Sequence, residues 1–175
     1  MTDILHLGHP TLRSIASRVS DIRSPEIQTL IDKLLETVRS ANGVGIAAPQ
    51  VNVSLQIMII ASRPSPRYPD APEMEPITII NPQILDRSPE ITQGWEGCLS
   101  VPQYRALVPR YQSMTVEYTD RAGTGVRSTF TNFIARIFQH EYDHFLGLVF
   151  LDRLESESNL VTIEEFKRRF PEKST

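Results

Sequence analysis

The run His140-Glu141-Tyr142-Asp143-His144 carries the strongest chemical signal in the chain. Two imidazoles four residues apart share one face of a helix and can reach one ion, and Glu141 then projects beside that ion as a proton acceptor. The flanking residues support a helix: Phe133, Ile134, Ile137 and Phe138 recur at helical spacing, and Gly147 is a stop signal, so an element over roughly 132–146 is predicted.

A tetrahedral catalytic ion also needs a third protein ligand and one open position. The metzincin arrangement is excluded, because Phe150 stands where its third histidine belongs. Glu164 or Glu165, about twenty residues downstream, would make a thermolysin-like metallopeptidase. The remaining candidate is Cys98 in Glu96-Gly97-Cys98-Leu99-Ser100, the one cysteine of the chain. A lone thiol is ordinarily core filler. Here the adjacent glycine permits a tight turn, polar residues flank the segment, and a soft thiolate completes a two-histidine site, which places Cys98 as ligand ahead of filler. A single cysteine forms no internal disulfide, which fits a reducing compartment and leaves the thiol for chemistry.

Around these residues the sequence places the rest. Ser24-Pro25 followed by Ile27, Leu30, Ile31, Leu34, Leu35 and Val38 predicts an N-terminal helix over about 25–41. Gly43 to Gln50, rich in small residues, is a binding edge where something approaches the backbone closely. β-rich runs at 55–60, 77–80, 114–118 and 126–131 predict mostly antiparallel sheets. The proline-rich stretch 62–76 reads as an extended loop, and Thr162 with Glu165 caps a short C-terminal helix closed by Pro171. The expected fold is α+β: sheets packed around a central metal-binding helix, in a single domain over 1–175.

Composition excludes several classes. With 40% hydrophobic and 22% charged residues the chain reads as an ordinary soluble domain with no need of a membrane. A net charge of -3 leaves no basic field for direct nucleic-acid binding, and Lys167-Arg168-Arg169 reads as a solvated last helical turn. The start Met-Thr-Asp-Ile-Leu-His has no leader pattern, so the cytoplasm is expected, with an organelle after removal of a transit peptide as the alternative.

Gly-Val-Gly-Ile-Ala-Ala-Pro-Gln at 43–50, Glu-Gly-Cys-Leu-Ser at 96–100 and Gln-His-Glu-Tyr-Asp-His at 139–144 together resemble the peptide deformylase family in content, order and spacing. The resemblance runs from His9-Pro10-Thr11-Leu12-Arg13 through Asn81-Pro82 and Arg105 to Arg110, as far as Gly147. It implies removal of the N-formyl group from nascent formyl-methionyl peptides, with formate released. It further implies one divalent ion held by Cys98, His140 and His144, with Fe2+ expected and Zn2+ or another ion the alternative. Glu141 would act as general acid and base, Gln50 and the backbone N–H of Leu99 as oxyanion donors, and Gly45 would supply backbone contacts to substrate. The departures are Ile46 for leucine, Tyr142 for methionine, Phe145 for leucine and Asn132 for glycine, none of them at a ligand. A transient ribosome contact is compatible with such a substrate. Docking through a long terminal helix is not carried over, since the C-terminal region is shorter than in the members that use one.

Overall fold

The computed structural model describes residues 3–65 and 68–171. Helix α1 spans Pro25–Ser40, and Ser24 caps it by accepting from the Ile27 N–H. Strands β1 (Gly45–Ala47), β2 (Ile57–Ile60) and β3 (Ile77–Arg87) follow, then β4 (Ile91–Cys98), β5 (Val101–Tyr111), β6 (Ser113–Thr119) and β7 (Gly125–Thr131). Helix α2 covers Asn132–Phe145, and the short β8 (Leu160–Thr162) leads into α3 (Ile163–Arg169). Short 3-10 helices at Pro10–Arg13, Ala48–Val51 and Phe150–Arg153 fill connections.

Two antiparallel sheets result. One has five strands in the order β1-β2-β3-β6-β7, the other three in the order β4-β5-β8. Period-2 alternation explains why β2 is apolar throughout: Met58 and Ile60 face a core shared with Ala135, Phe138 and Phe145 of α2, while Ile57 and Ile59 face Ile31, Leu34 and Val38 of α1. The two helices thus cover opposite faces of the larger sheet, and α2 is pressed between it and the smaller one. A third apolar cluster, with Val101, Ala106, Val108 and Phe150, surrounds Cys98.

The α+β class and the three helices match expectation. Strands β1, β4, β5 and β8 add to those expected: β4 and β5 carry glycine, proline and charge that mask them, β1 and β8 are three residues each, and β1, β4 and β5 border the chemistry. Asn132 has φ of 51°, a left-handed conformation that asparagine tolerates better than most other side chains. It turns the chain from β7 into α2, and its N–H is held by the Gln112 carbonyl at 2.8 Å.

Candidate metal centre

Strand β4 delivers two groups to one place. Residues two apart on a strand share a face, so Glu96 and Cys98 both point at α2 while Trp95 points the opposite way. Between Glu96 and Cys98 the register jumps from Ala106 to Val101 on the partner strand, so a bulge of β5 lies opposite Gly97. The Arg105 guanidinium lies directly over Gly97, in space that a side chain there would share.

From α2 come His140, Glu141 and His144, all buried. Among the described residues, the groups placed to share an ion are Cys98, His140 and His144, whose ligand atoms lie within 4.8 Å of one another. The set excludes Glu164 and Glu165, so the thermolysin-like arrangement is not formed; Glu165 instead pairs with Arg168 and Arg169 on α3. Phe150 is stacked on the His140 ring, with centroids 6.0 Å apart.

The geometry fits a tetrahedral ion. Arms of about 2.3 Å to sulfur and about 2.1 Å to nitrogen separate two ligand atoms by about 3.6 Å, and Cys98 Sγ lies 3.4 Å from His144 Nε2. Burial alone would push the Cys98 thiol up, but the imidazoles of His144 and His140 outweigh it and hold the group well below the ordinary thiol range, favouring the ligating thiolate.

His140 is oriented from behind. Its Nδ1 donates to Glu96 Oε2 at 2.8 Å, which fixes the tautomer and leaves Nε2 for the site. Glu96 in turn accepts from Arg110 through both oxygens, at 2.9 and 3.0 Å, and from Arg136 at 2.9 Å. Burial raises the Glu96 carboxyl, yet Arg110 and His140 more than offset this and keep it ionised. Arg110 reaches on to Asp143 at 2.7 Å, and Asp143 also holds Arg153 at 2.6 Å. Arg136, one helical turn before His140, joins Arg110 in this brace; its guanidinium lies over Gly94 and donates to the carbonyls of Thr92 and Val108.

Glu141 faces the same space. Its Oε2 is buried with no donor among the described residues, and its Oε1 would lie 2.5 Å from a Cβ at Gly45, so a glycine is needed there to seat the carboxylate. Burial pushes the Glu141 carboxyl up to about 7, against the pull of His140 and His144. Gln50 is locked by its Oε1, which accepts from the Ala47 N–H at 2.9 Å, and its Nε2 donates to Ser100 Oγ at 3.1 Å and lies 3.5 Å from Cys98 Sγ. An N-terminal strap ties the two segments together: the Leu5 N–H donates to the Gln50 carbonyl and the Leu7 N–H to that of Ser100.

Gln50, Glu96, Cys98, Arg136, His140 and Glu141 line one cavity. Val44, Phe133 and Ile137 stand in its wall, as do Leu99 and Trp95. Tyr68 of the proline-rich loop is there too, packed on Phe133 at 5.1 Å between centroids, a contribution the loop's composition did not signal.

A sequence model of the family described as polypeptide deformylase matches residues 1–159. The chain belongs to the polypeptide deformylase family. It is 58% identical over 164 residues to peptide deformylase 2 of Nostoc sp., covering 94% of this chain and 92% of that one. It is 44% identical to peptide deformylase 2 of Shewanella oneidensis, covering 92% and 88%. A class I type b peptide deformylase from Acinetobacter baumannii, solved with Met-Ala-Ser bound, superposes with a TM-score of 0.84 at 45% identity over 86% of this chain and 96% of the other. A peptide deformylase from Synechococcus elongatus in complex with actinonin gives 0.80 at 34% identity, covering 96% and 85%. As a deformylase, the chain is a metal-dependent hydrolase that removes the formyl group from the N-terminal methionine of newly made peptides. No helix among the described residues is long and apolar enough to cross a membrane.

Proposed function

We propose that deformylation is carried out by the groups just described, with Cys98, His140 and His144 holding the ion. The observation that carries this reading is their convergence within 4.8 Å beside a buried carboxylate that lacks a donor. When bound, a divalent ion supplies Lewis acidity and an acidified water. Glu141 accepts the proton of the attacking water and returns it to the departing amine, which its burial-raised carboxyl suits near neutral pH. Gln50 Nε2 and the Leu99 N–H donate to the oxyanion that develops on the formyl oxygen. The products are formate and a free methionyl amine.

The strand edges suggest how substrate is held. β1 and β4 are each the terminal strand of their sheets, and residues on both line the cavity. An extended peptide laid between them gains main-chain hydrogen bonds whatever its sequence, with Gly45 among the contacts, while Phe133 and Ile137 receive the methionine side chain. The native ion is Fe2+ in this reading. The thiolate accepts several soft ions, so Zn2+ competes on affinity and cellular supply decides. The same thiol favours a reducing compartment, the cytoplasm or an organelle interior, and a nascent substrate places the encounter near the ribosome. The whole of 1–175 acts as one domain.

The test is formate release from a formyl-methionyl tripeptide by anaerobically prepared protein, with bound metal measured in parallel. Cys98→Ala is expected to lose both the ion and the activity; full metal content in that variant would remove the thiolate from the site. Gln50→Ala is expected to keep the ion and lose about a hundred- to a thousand-fold in kcat. A loss confined to KM would reassign Gln50 to substrate binding.

A further inference from the structure

Trp95 is the only tryptophan of the chain. With Glu96 turned toward His140, alternation turns the neighbouring indole to the other face of β4. There it meets α3 and the residue that ends it: its ring lies edge-on to Phe166 at 5.3 Å and to Phe170, the C-cap, at 5.8 Å between centroids, and those two rings pack on each other at 4.9 Å. Phe170 stays 49% exposed, so this contact with Trp95 is made at the rim of the molecule rather than in its core. Trp95 is also part of the cavity wall.

The arrangement matters because of what β4 is. It is held along one edge by β5 while its other edge borders the cavity, and it contains Gly94 and Gly97, which weaken a strand. A strand that receives a peptide binds more tightly the less ordering it must undergo on binding. Arg136 and Glu96 fix β4 from the side of α2. The aromatic trio fixes it from the opposite side.

We propose that Trp95 is a positioning residue, clamped by Phe166 and Phe170, through which α3 sets the affinity of the groove for the peptide. This rests on the reading of the cavity between β1 and β4 as the peptide groove. Neither phenylalanine faces the reacting atoms, so the clamp acts on binding and leaves the chemical step alone.

The single indole makes the test direct. Full-length, metal-loaded protein and its Phe166→Ala, Phe166→Tyr and Phe170→Ala variants are assayed for formate release from formyl-Met-Ala-Ser, and Trp95 emission is titrated with Met-Ala-Ser. Phe166→Ala is expected to raise KM and the peptide Kd about five- to tenfold, the value of lost aromatic contacts, with kcat changed by less than about twofold. Its Trp95 emission shifts to the red without peptide, and Phe166→Tyr restores both readouts. Should Phe166→Ala fail to fold, Phe170→Ala carries the same test at the exposed end of the trio, with a smaller rise in KM. If the parent's emission responds to Met-Ala-Ser but both alanine variants bind it as tightly as the parent, the clamp is overturned and the groove stands. If the parent releases formate while its emission ignores the peptide, the groove is wrongly placed and the clamp falls with it.

Discussion

Glu141→Gln will release formate about a thousand- to ten-thousand-fold more slowly than the parent while retaining its metal. The amide preserves the shape that fits over Gly45 but cannot take a proton from water. The same change acts on stability with the opposite sign. The carboxyl of Glu141 is raised from 4.5 to about 7 by burial, so folding favours its protonated form. The stability contributed by that proton is complete below the unfolded value and is lost as pH rises through the folded one. Metal-free parent protein therefore weakens between about pH 4.5 and 7, and metal-free Glu141→Gln lacks that loss. At pH 8 the variant should be the more stable by on the order of 2 kcal/mol in urea unfolding with a chelator present. A variant that is as active as the parent would remove Glu141 from the proton transfer. One that is no more stable would show that the ionised carboxylate is solvated in the folded state.

Arg110→Met is expected to cost about 3–5 kcal/mol, the largest stability effect of any single change at this site. The guanidinium joins two buried carboxylates, donating to both oxygens of Glu96 and to Asp143. Removing it leaves Glu96 with Arg136 and His140, and Asp143 with Arg153, whose side chain is 41% exposed. The loss should appear in metal-free protein. In the folded variant metal affinity should fall by about ten- to a hundredfold, since Glu96 then orients His140 less firmly. Arg110→Met combined with Glu96→Gln should recover part of the stability, because it deletes one of the stranded charges. A cost below about 1 kcal/mol would mean that water reaches both carboxylates.

The helices and ligands were legible because their signals are local. Ser24-Pro25 opens α1 and Thr162 caps α3 where expected. The His140 to His144 spacing has meaning only on a helix, and α2 runs from Asn132 to Phe145 against a predicted 132–146. The strands bordering the site were not legible for a physical reason. In an ordinary half-buried strand the inward positions are apolar, whereas β4 and β5 turn Glu96, Cys98 and Arg110 inward, so their pattern inverts the one by which strands are recognised. Prolines 102 and 109 in β5 hide it further. Arg136 went unnoticed because an arginine one turn before a metal-site histidine reads as solvent-facing until its partner Glu96, 40 residues earlier, is brought beside it. Tyr68 was hidden in the same way, inside a loop whose prolines describe its backbone and not its destination.

The groups of the centre are far apart along the chain. Cys98 and His144 are separated by 46 residues, Glu96 and His140 by 44, and Gln50 and Cys98 by 48. No fragment that could form early brings three ligands together; α2 alone offers two imidazoles, and closing loops of this length precedes any reward from the contacts they make. Tight capture of the ion is therefore a late event in folding, after β4 has found its place against α2. Its binding free energy then adds directly to the stability of the finished topology. An enzyme that acts on chains still being made can thus become active only once its own chain has been made through α2.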